Sequence, residues 1–243
     1  MDSFILVFAG ILIILIAGFV QGLTSFGFAL VSLPLLMSFM PFQTVVPIIV
    51  ILSFLTNMAI LYPIRAHVEL TRIWPLVISS LVAAPFGAYI LLVVEDTTLK
   101  AVTGVFIAVV GMVMLSGLSF PVKKERLAFV PIGITSGLLN GSISLSGPPV
   151  VLFLSNQGVD KMTFRANLTA YGLILNVVTV FSFAANGLLS SGVLHYSSWF
   201  VPAMLLGVLI GVKAASLLNE QTFRKITLGL IILSGLWTLF TAF

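Results

Sequence analysis

Cysteine is absent from the 243-residue chain, so the sequence can form no disulfide and offers no thiolate for a metal site or nucleophilic catalysis. Charged residues are also scarce: eleven Lys and Arg and seven Asp and Glu make up 7% of the chain, against about 25% in soluble domains. Hydrophobic residues reach 60%, and the mean hydropathy is +1.24. The composition therefore excludes a water-soluble fold and makes the lipid bilayer a partner of the chain.

Motifs for enzymes and for nucleic-acid binding are missing as well. The sequence contains neither a GxxxxGK[ST] phosphate-binding loop nor an HExxH zinc motif. The cations are spread along the chain without forming a basic stripe, which argues against nucleic acid despite the net charge of +4. His67 and His195 are expected in loops on opposite sides of a membrane, where they cannot share a metal ion. The sequence thus predicts a protein that is not an enzyme and has no cofactor or metal.

Long apolar runs dominate the sequence. A helix needs about 20 apolar residues to cross a bilayer, and runs of this length lie near 4–22, 44–62, 73–94, 99–119, 163–187, 197–217 and 223–242. Shorter runs lie at 28–40, 127–139 and 147–157. The pattern predicts an all-α polytopic membrane protein in which the short runs are arms of broken helical hairpins that either span the membrane or are re-entrant.

Polar stretches that contain glycine separate these short runs at two places, Thr24-Ser25-Phe26-Gly27 and Asn140 to Gly147. Irregular backbone at membrane depth survives only inside protein or beside a water-filled cavity, because lipid cannot satisfy its amides. We therefore expect the tip of a hairpin at each stretch and a functional site between the two tips. The alternative is that these small residues only allow helices to pack tightly.

An internal repeat relates the two halves of the chain. The stretch with Gly18 and Gly22 is similar to one that begins at Gly133, at an offset of 115 residues. Further on, Asn57 matches Asn176 at an offset of 119 residues. The matches keep their order along the chain, which predicts a duplication.

The predicted repeats are residues 1–120 and 127–243, joined by a basic cytoplasmic linker at 121–126. Each holds one hairpin followed by three crossing helices, and this topology places ten of the eleven cations on one side. These ten are Arg65, Arg72, Lys123, Lys124, Arg126, Lys161, Arg165, Lys213, Arg224 and Lys225, and only Lys100 lies opposite. Because Lys and Arg concentrate on the cytoplasmic side, both termini are predicted to be periplasmic or extracellular. The odd number of crossings makes the repeats inverted, as in many secondary transporters.

These segments resemble the sulfite exporter TauE/SafE family of membrane permeases. The resemblance rests on GFVQGLTSFGFALVSLP from Gly18, GITSGLLNGSISLSGPP from Gly133, and the segments EDTTLK and NEQTFRK after a glycine-containing helix in each half. It implies transport of a small anionic substrate, such as sulfite, sulfoacetate or another sulfonate, across the bacterial inner membrane, usually outward. The serines of the second stretch depart from a glycine-rich tip and leave the particular anion open.

No Lys or Arg lies near the middle of a predicted span, so an anion held there needs uncharged donors. Helix N-termini and hydroxyl or amide side chains can supply them. The candidate substrate-binding residues are Gln21, Thr24, Ser25, Phe26, Gly27, Asn57, Asn140, Gly141, Ser142, Ser144, Ser146, Gly147 and Asn176. For Gln21, Asn57 and Asn176, hydrogen bonding between helices is the alternative role.

The predicted mechanism is alternating access with export of the anion. Because the cell interior is negative, the export of each negative charge is favoured by a free energy of about 2.3 kcal/mol per 100 mV. The predicted spans contain no carboxylate or histidine that could act as a proton carrier. An anion channel with the same tips, or a permease for another small organic anion, is the alternative. Arg165 is expected to orient the protein in the membrane or, alternatively, to draw anions into an inner vestibule.

Overall fold

A computed structural model describes residues 3–115, 125–155, 160–219 and 222 of the chain. Within these ranges the chain forms α-helices and no β-strand, which confirms the all-α prediction. The helices are α1 (Ser3–Thr24), α2 (Phe28–Leu36), α3 (Phe42–Ile64), α4 (Leu70–Val93), α5 (Asp96–Leu115), α6 (Glu125–Ile143), α7 (Gly147–Ser155), α8 (Lys161–Ala185) and α9 (Ser191–Leu217), with a short 3-10 turn at Arg65–His67.

Five segments in the described part are long and apolar enough to cross a membrane. They are Val7–Thr24, Phe42–His67, Ile73–Val93, Lys161–Ala185 and Ser191–Leu217. Large apolar side chains on these helices, such as Phe86 and Leu209, are exposed, as expected where lipid is the solvent. The prediction of a multi-pass membrane protein is therefore confirmed. The predicted span at 223–242 and most of the predicted linker at 121–126 lie outside the described residues.

Each half begins with a long helix and a short one, α1–α2 and α6–α7. The short arms α2 and α7 have nine residues each, which is about 14 Å of helix, or about half of a bilayer core. The apolar run predicted at 127–139 is confirmed as shorter than a span, since the apolar part of α6 is Ala128–Ile143. The predicted tip at 140–147 begins too early, because α6 continues to Ile143. Its polar end stays helical: Gly141 packs against the backbone of Ala84 in α4, and Ser142 Oγ donates to the Leu138 carbonyl at 2.8 Å.

Glycines allow α1 to pack closely along α9. A Cβ on Gly18 would lie 2.7 Å from the Met204 carbonyl oxygen, and one on Gly22 would meet the carbonyl oxygen of Val208. From Gly18 to Gly22 the contact on α9 moves in the same direction, from Met204 to Val208. Helices α1 and α9 therefore run parallel.

The same packing joins α6 to α4, where Gly137 faces the Ser80 carbonyl and Gly141 faces that of Ala84. These helices are therefore parallel too. Gly137 and Gly141 take the positions that Gly18 and Gly22 hold in the other pair. Gly133 faces the Leu76 carbonyl in the same way, so the glycines alone fit an offset of 115 or of 119 residues. The ends of α1 and α6 and the starts of α2 and α7 are each 119 residues apart, which corrects the predicted offset of 115 by one helical turn.

Helices α3 and α8 cross at the centre in opposite directions. A Cβ on Gly172 of α8 would lie 2.7 Å from Asn57 Nδ2 of α3, and the Glu69 amide, just beyond α3, donates to Asn167 Oδ1 at 2.7 Å. From residue 57 to residue 69, the contacted residue of α8 therefore changes from 172 to 167, so the two helices run antiparallel. Two inverted repeats would require α3 and α8 to be antiparallel. The inversion itself stays a prediction, as do the boundaries at 1–120, 121–126 and 127–243.

Candidate functional site

Two three-residue tips, Ser25–Gly27 and Ser144–Ser146, join the arms of the hairpins. Ser25 has φ 72° and Ser144 has φ 59°, and in the described part they are the non-glycine residues with positive φ. This left-handed conformation costs an L-residue about 1–2 kcal/mol, and such strain is frequent at functional sites. The two strained serines are 119 residues apart, so both tips share one design.

A cavity lies between the tips. Its volume is about 40 Å³, counted over the positions open to the centre of a water molecule, and one water needs about 10–15 Å³ on this measure. There is space for about three waters or for a ligand of similar size. The polar lining comes from both halves and consists of Gln21, Ser25, Ser53, Asn57, Asn140, Ser144, Ser146, Tyr171 and Asn176.

Most of the predicted site residues border this cavity. They are Gln21, Ser25, Phe26, Asn57, Asn140, Ser144, Ser146, Gly147 and Asn176. The first tip also contacts the start of α7, directly after the second tip, since a Cβ on Gly147 would lie 3.3 Å from Phe26 Cβ.

Four predicted residues have other surroundings and do not line the cavity. Thr24 Oγ1 donates to the Val20 carbonyl at 2.8 Å, and Gly27 is packed against the Val20 side chain. Gly141 and Ser142 belong to α6, with the helix-packing roles described above. These four fit the alternative of tight packing and internal hydrogen bonding.

Several lining residues were not predicted: Ala29, Leu30, Ser53, Leu145, Pro148, Leu168, Tyr171 and Gly172. Helical periodicity could have predicted two of these residues. Ser53 lies one helical turn before Asn57, and Gly172 lies one turn before Asn176, so each shares a helix face with a predicted asparagine. The apolar residues carried no comparable signal.

Gln21 fixes the orientation of the Asn57 amide. The backbone N–H of Phe28 can only donate, and it donates to Gln21 Oε1 at 2.9 Å. Gln21 must therefore present its Nε2, which donates to Asn57 Oδ1 at 3.0 Å and to the Ser25 carbonyl at 3.3 Å. With its oxygen occupied, Asn57 turns its NH₂ group away from Gln21.

Asn140 does the same for Asn176. Thr179 Oγ1 uses its hydrogen on the Leu175 carbonyl at 2.9 Å, so toward Asn140 it can only accept. Asn140 Nδ2 donates to Thr179 Oγ1 at 2.8 Å and to Asn176 Oδ1 at 3.1 Å. The Asn176 oxygen is occupied, and its NH₂ group is the free end.

Neither NH₂ group, of Asn57 or of Asn176, has a hydrogen-bond acceptor in the described part of the chain. The fully buried and unpaired side-chain atoms of that part are oxygens of Thr103, Thr169 and Ser197. The two asparagine nitrogens are therefore in contact with accessible space, and the space they border is the cavity. The cavity is therefore bordered by two hydrogen-bond donors, one from each half of the chain.

Helix α8 brings a cation to the first tip. Asp160 caps this helix by accepting from the Met162 and Thr163 amides at 2.9 and 3.1 Å, and hydrogen bonds from Thr163, chiefly from its side chain, hold the pKa of Asp160 below its usual value. One turn further on, Arg165 is only 4% exposed. Its Nη2 donates to the Gly22 carbonyl at 2.7 Å. The sequence prediction that Arg165 orients the protein missed this buried contact.

Metal ligands are not gathered at the site. Within the described ranges no group of three or more His, Asp or Glu could hold a metal ion. No carboxylate lines the cavity either. The chemistry on offer at the cavity is hydrogen bonding to a small polar ligand.

A helical, multi-pass membrane protein with a polar cavity between two broken hairpins has the architecture of a secondary transporter. The chain belongs to a family of this kind, described as Sulfite exporter TauE/SafE, whose sequence model matches residues 10–238. A curated relative is named probable sulfite/organosulfonate exporter TauE, from Cupriavidus necator (strain ATCC 17699 / DSM 428 / KCTC 22496 / NCIMB 10442 / H16 / Stanier 337). It is 23% identical over 222 residues, which are 87% of this chain and 85% of the relative. No solved structure matches the chain.

Proposed function

We propose that this protein is a secondary transporter that exports a small sulfur-containing anion, sulfite or an organosulfonate, and holds it in the cavity between the two tips. The observation that carries the proposal is the pair of free NH₂ groups on Asn57 and Asn176. Family membership and the name of the curated relative support the sulfur anion.

The donor set suits an anion that must be released again. Besides the two asparagines, the amides of Ala29 and Leu30 at the start of α2 have no acceptor among the described residues, and both residues line the cavity. A helix N-terminus favours negative charge. Uncharged donors hold an anion less tightly than a bidentate arginine does, which suits a carrier better than a storage site.

The proposed mechanism is alternating access around this cavity. The parallel pairs α1–α9 and α4–α6 and the antiparallel α3–α8 pair support two inverted repeats that rock against each other. Membrane potential favours outward movement of an anion by about 2.3 kcal/mol per charge at 100 mV. Export therefore needs no coupling ion.

We further propose a bacterial inner-membrane location with both termini on the periplasmic side. The contacts support one cation-rich end: Lys161 at the start of α8 donates to the Ala215 and Leu218 carbonyls at the end of α9. Arg65 follows the end of α3, close to where Glu69 meets α8. Cations gathered at one end of the bundle are expected on the cytoplasmic side.

The test is transport of radiolabelled sulfite and of an organosulfonate into proteoliposomes. Saturable uptake that internal unlabelled anion stimulates is expected of a carrier, whereas single-channel currents would identify a channel. Asn57→Asp and Asn176→Asp replace a donor by a negative oxygen at nearly constant shape, and each should lower uptake at least about tenfold.

The matched control is Asn186→Asp, the same change at the exposed end of α8, where the Asn186 amide donates to the Ser182 carbonyl of its own helix. This variant should transport like the wild type. Wild-type protein that moves no sulfur anion, or cavity variants that transport as well as the control, would refute the proposal.

A further inference from the structure

Arg165 makes two hydrogen bonds at the first tip, next to the proposed anion site. Its Nη2 donates to the Gly22 carbonyl at the end of α1 at 2.7 Å, and its Nε donates to Ser25 Oγ at 3.1 Å. Ser25 lines the cavity. A buried cation therefore touches a side chain that a bound anion would also touch.

The second bond determines what the Ser25 hydroxyl can do. Because Arg165 Nε can only donate, the Ser25 oxygen acts as acceptor, and the hydroxyl hydrogen is left to point elsewhere. No protein acceptor for it exists among the described residues. A positive donor on the oxygen also polarises the O–H bond, since hydrogen bonds in a low-dielectric site strengthen one another.

The second tip lacks this arrangement. Ser144 corresponds to Ser25, but in the described part no cationic side chain donates to it. The residue that corresponds to Arg165, 119 positions earlier, is Val46, which is fully buried. The two tips are therefore chemically unequal at the same position of the repeat.

We propose that Arg165 is a positioning residue of the anion site, which holds the Ser25 hydroxyl as a hydrogen-bond donor toward the cavity and makes the first tip the stronger anion-binding half. The proposal rests on the proposed function for the identity of the anion. Its geometric part, a cation that acts through residue 25, does not depend on transport.

Lys161 is a second cation on the same helix with which Arg165 can be compared. It lies one turn before Arg165 on α8, and its Nζ donates to the Ala215 and Leu218 carbonyls at 2.7 Å each. Both cations thus bind carbonyls at the end of a neighbouring helix. Only Arg165 also contacts a cavity residue, so Lys161→Gln is the matched control for loss of a helix-capping cation.

The first experiment measures the KM for sulfite in proteoliposomes. Arg165→Gln should raise KM about tenfold, because a hydrogen bond to a charged group is lost, and Arg165→Lys should recover part of this. Ser25→Ala should raise KM more than Ser144→Ala does. In the Ser25→Ala background, Arg165→Gln should add little, whereas Lys161→Gln should leave KM unchanged.

The second experiment needs no transport. Because the chain has no cysteine, Ser25→Cys and Ser144→Cys each introduce a single thiol, and neutral iodoacetamide reacts with its thiolate. For each thiol, the rate of reaction with iodoacetamide at pH 7 is divided by the rate at pH 10. This ratio does not depend on how easily the reagent reaches the thiol. A cation next to residue 25 should make this ratio about tenfold higher for Ser25→Cys than for Ser144→Cys, and Arg165→Gln should abolish the difference.

Equal ratios for the two thiols, or a ratio that Arg165→Gln leaves unchanged, would overturn the proposal. So would an Arg165→Gln variant whose KM rises by the same factor with and without Ser25. If Arg165→Gln does not fold, the thiol ratios and the Ser25→Ala and Ser144→Ala pair decide. Absence of transport of both sulfite and the organosulfonate in the wild type would refute the proposed function and leave the thiol result standing.

Discussion

The asparagine of each central helix is oriented in the same way in the two halves, but by different side chains. At the first tip, Gln21 spans from the Phe28 amide to Asn57. At the second, Asn140 is one methylene shorter and bonds Asn176 and Thr179. The outcome is the same at both tips: the asparagine of the central helix has its oxygen occupied and its NH₂ group free.

The residues that orient the two asparagines differ between the halves, whereas the two free NH₂ groups are the same. The residue of α3 that corresponds to Thr179 is Ile60, which offers no hydroxyl, and Gln21 Nε2 instead makes its second bond to the Ser25 carbonyl. The supporting partners have therefore diverged together between the halves. Each half contributes one asparagine NH₂ group as a hydrogen-bond donor. A ligand on the axis between the repeats would need such a pair of donors.

The largest effect is expected where both halves depend on close backbone packing. Gly22→Val and Gly141→Val should each lower the free energy of unfolding by about 3 kcal/mol. A Cβ on Gly22 would lie 2.9 Å from the Val212 amide nitrogen, and one on Gly141 would meet the Ala84 carbonyl. Thermal unfolding of the detergent-purified protein measures both.

The control for these variants is Gly192→Val in α9, because Ser190 Oγ, at 3.8 Å, is the only neighbour within 4 Å of its added Cβ among the described residues. This variant should unfold at the wild-type temperature. Wild-type stability in either Gly22→Val or Gly141→Val would show that the corresponding helix pair does not pack as described.

A smaller effect separates the two tips. Ser144→Gly should raise the free energy of unfolding by about 1 kcal/mol, since glycine adopts a positive φ without strain. Ser25→Gly should gain less or lose stability, because it also gives up its bond to Arg165. The difference between the two variants measures that bond.

Gly187 provides the reference for strain alone, since its φ is 71° and an added Cβ would meet nothing within 4 Å. Gly187→Ala should therefore cost about 1 kcal/mol. An equal gain in Ser25→Gly and Ser144→Gly would contradict the inequality of the two tips.

The helices and the location of the cavity could be predicted from the sequence, because the bilayer imposes a length rule and polar stretches within apolar runs are conspicuous. The limits of the second tip could not. Gly141 and Ser142 look like loop residues in a sequence, but packing on α4 and a bond within α6 keep them helical. The same register error of one turn shifted the predicted offset from 119 to 115 residues.

The roles of the polar residues also depended on tertiary contacts. Asn57 and Asn176 could be predicted as repeat partners, but which end of each amide is free follows from bonds made 36 residues away in the chain. Arg165 is near a helix start in the sequence, where cations usually orient a membrane protein. Only the fold brings it to a tip 140 residues earlier.

We propose above that one small anion lies between the NH₂ groups of Asn57 and Asn176. The most direct measurement is an experimental structure with selenite, a heavier analogue of sulfite, located by the anomalous scattering of selenium. We expect one selenite in the cavity, with oxygens within about 3.2 Å of both asparagine nitrogens. Selenite bound only at the cation-rich end of the bundle, or contacting neither asparagine, would contradict it.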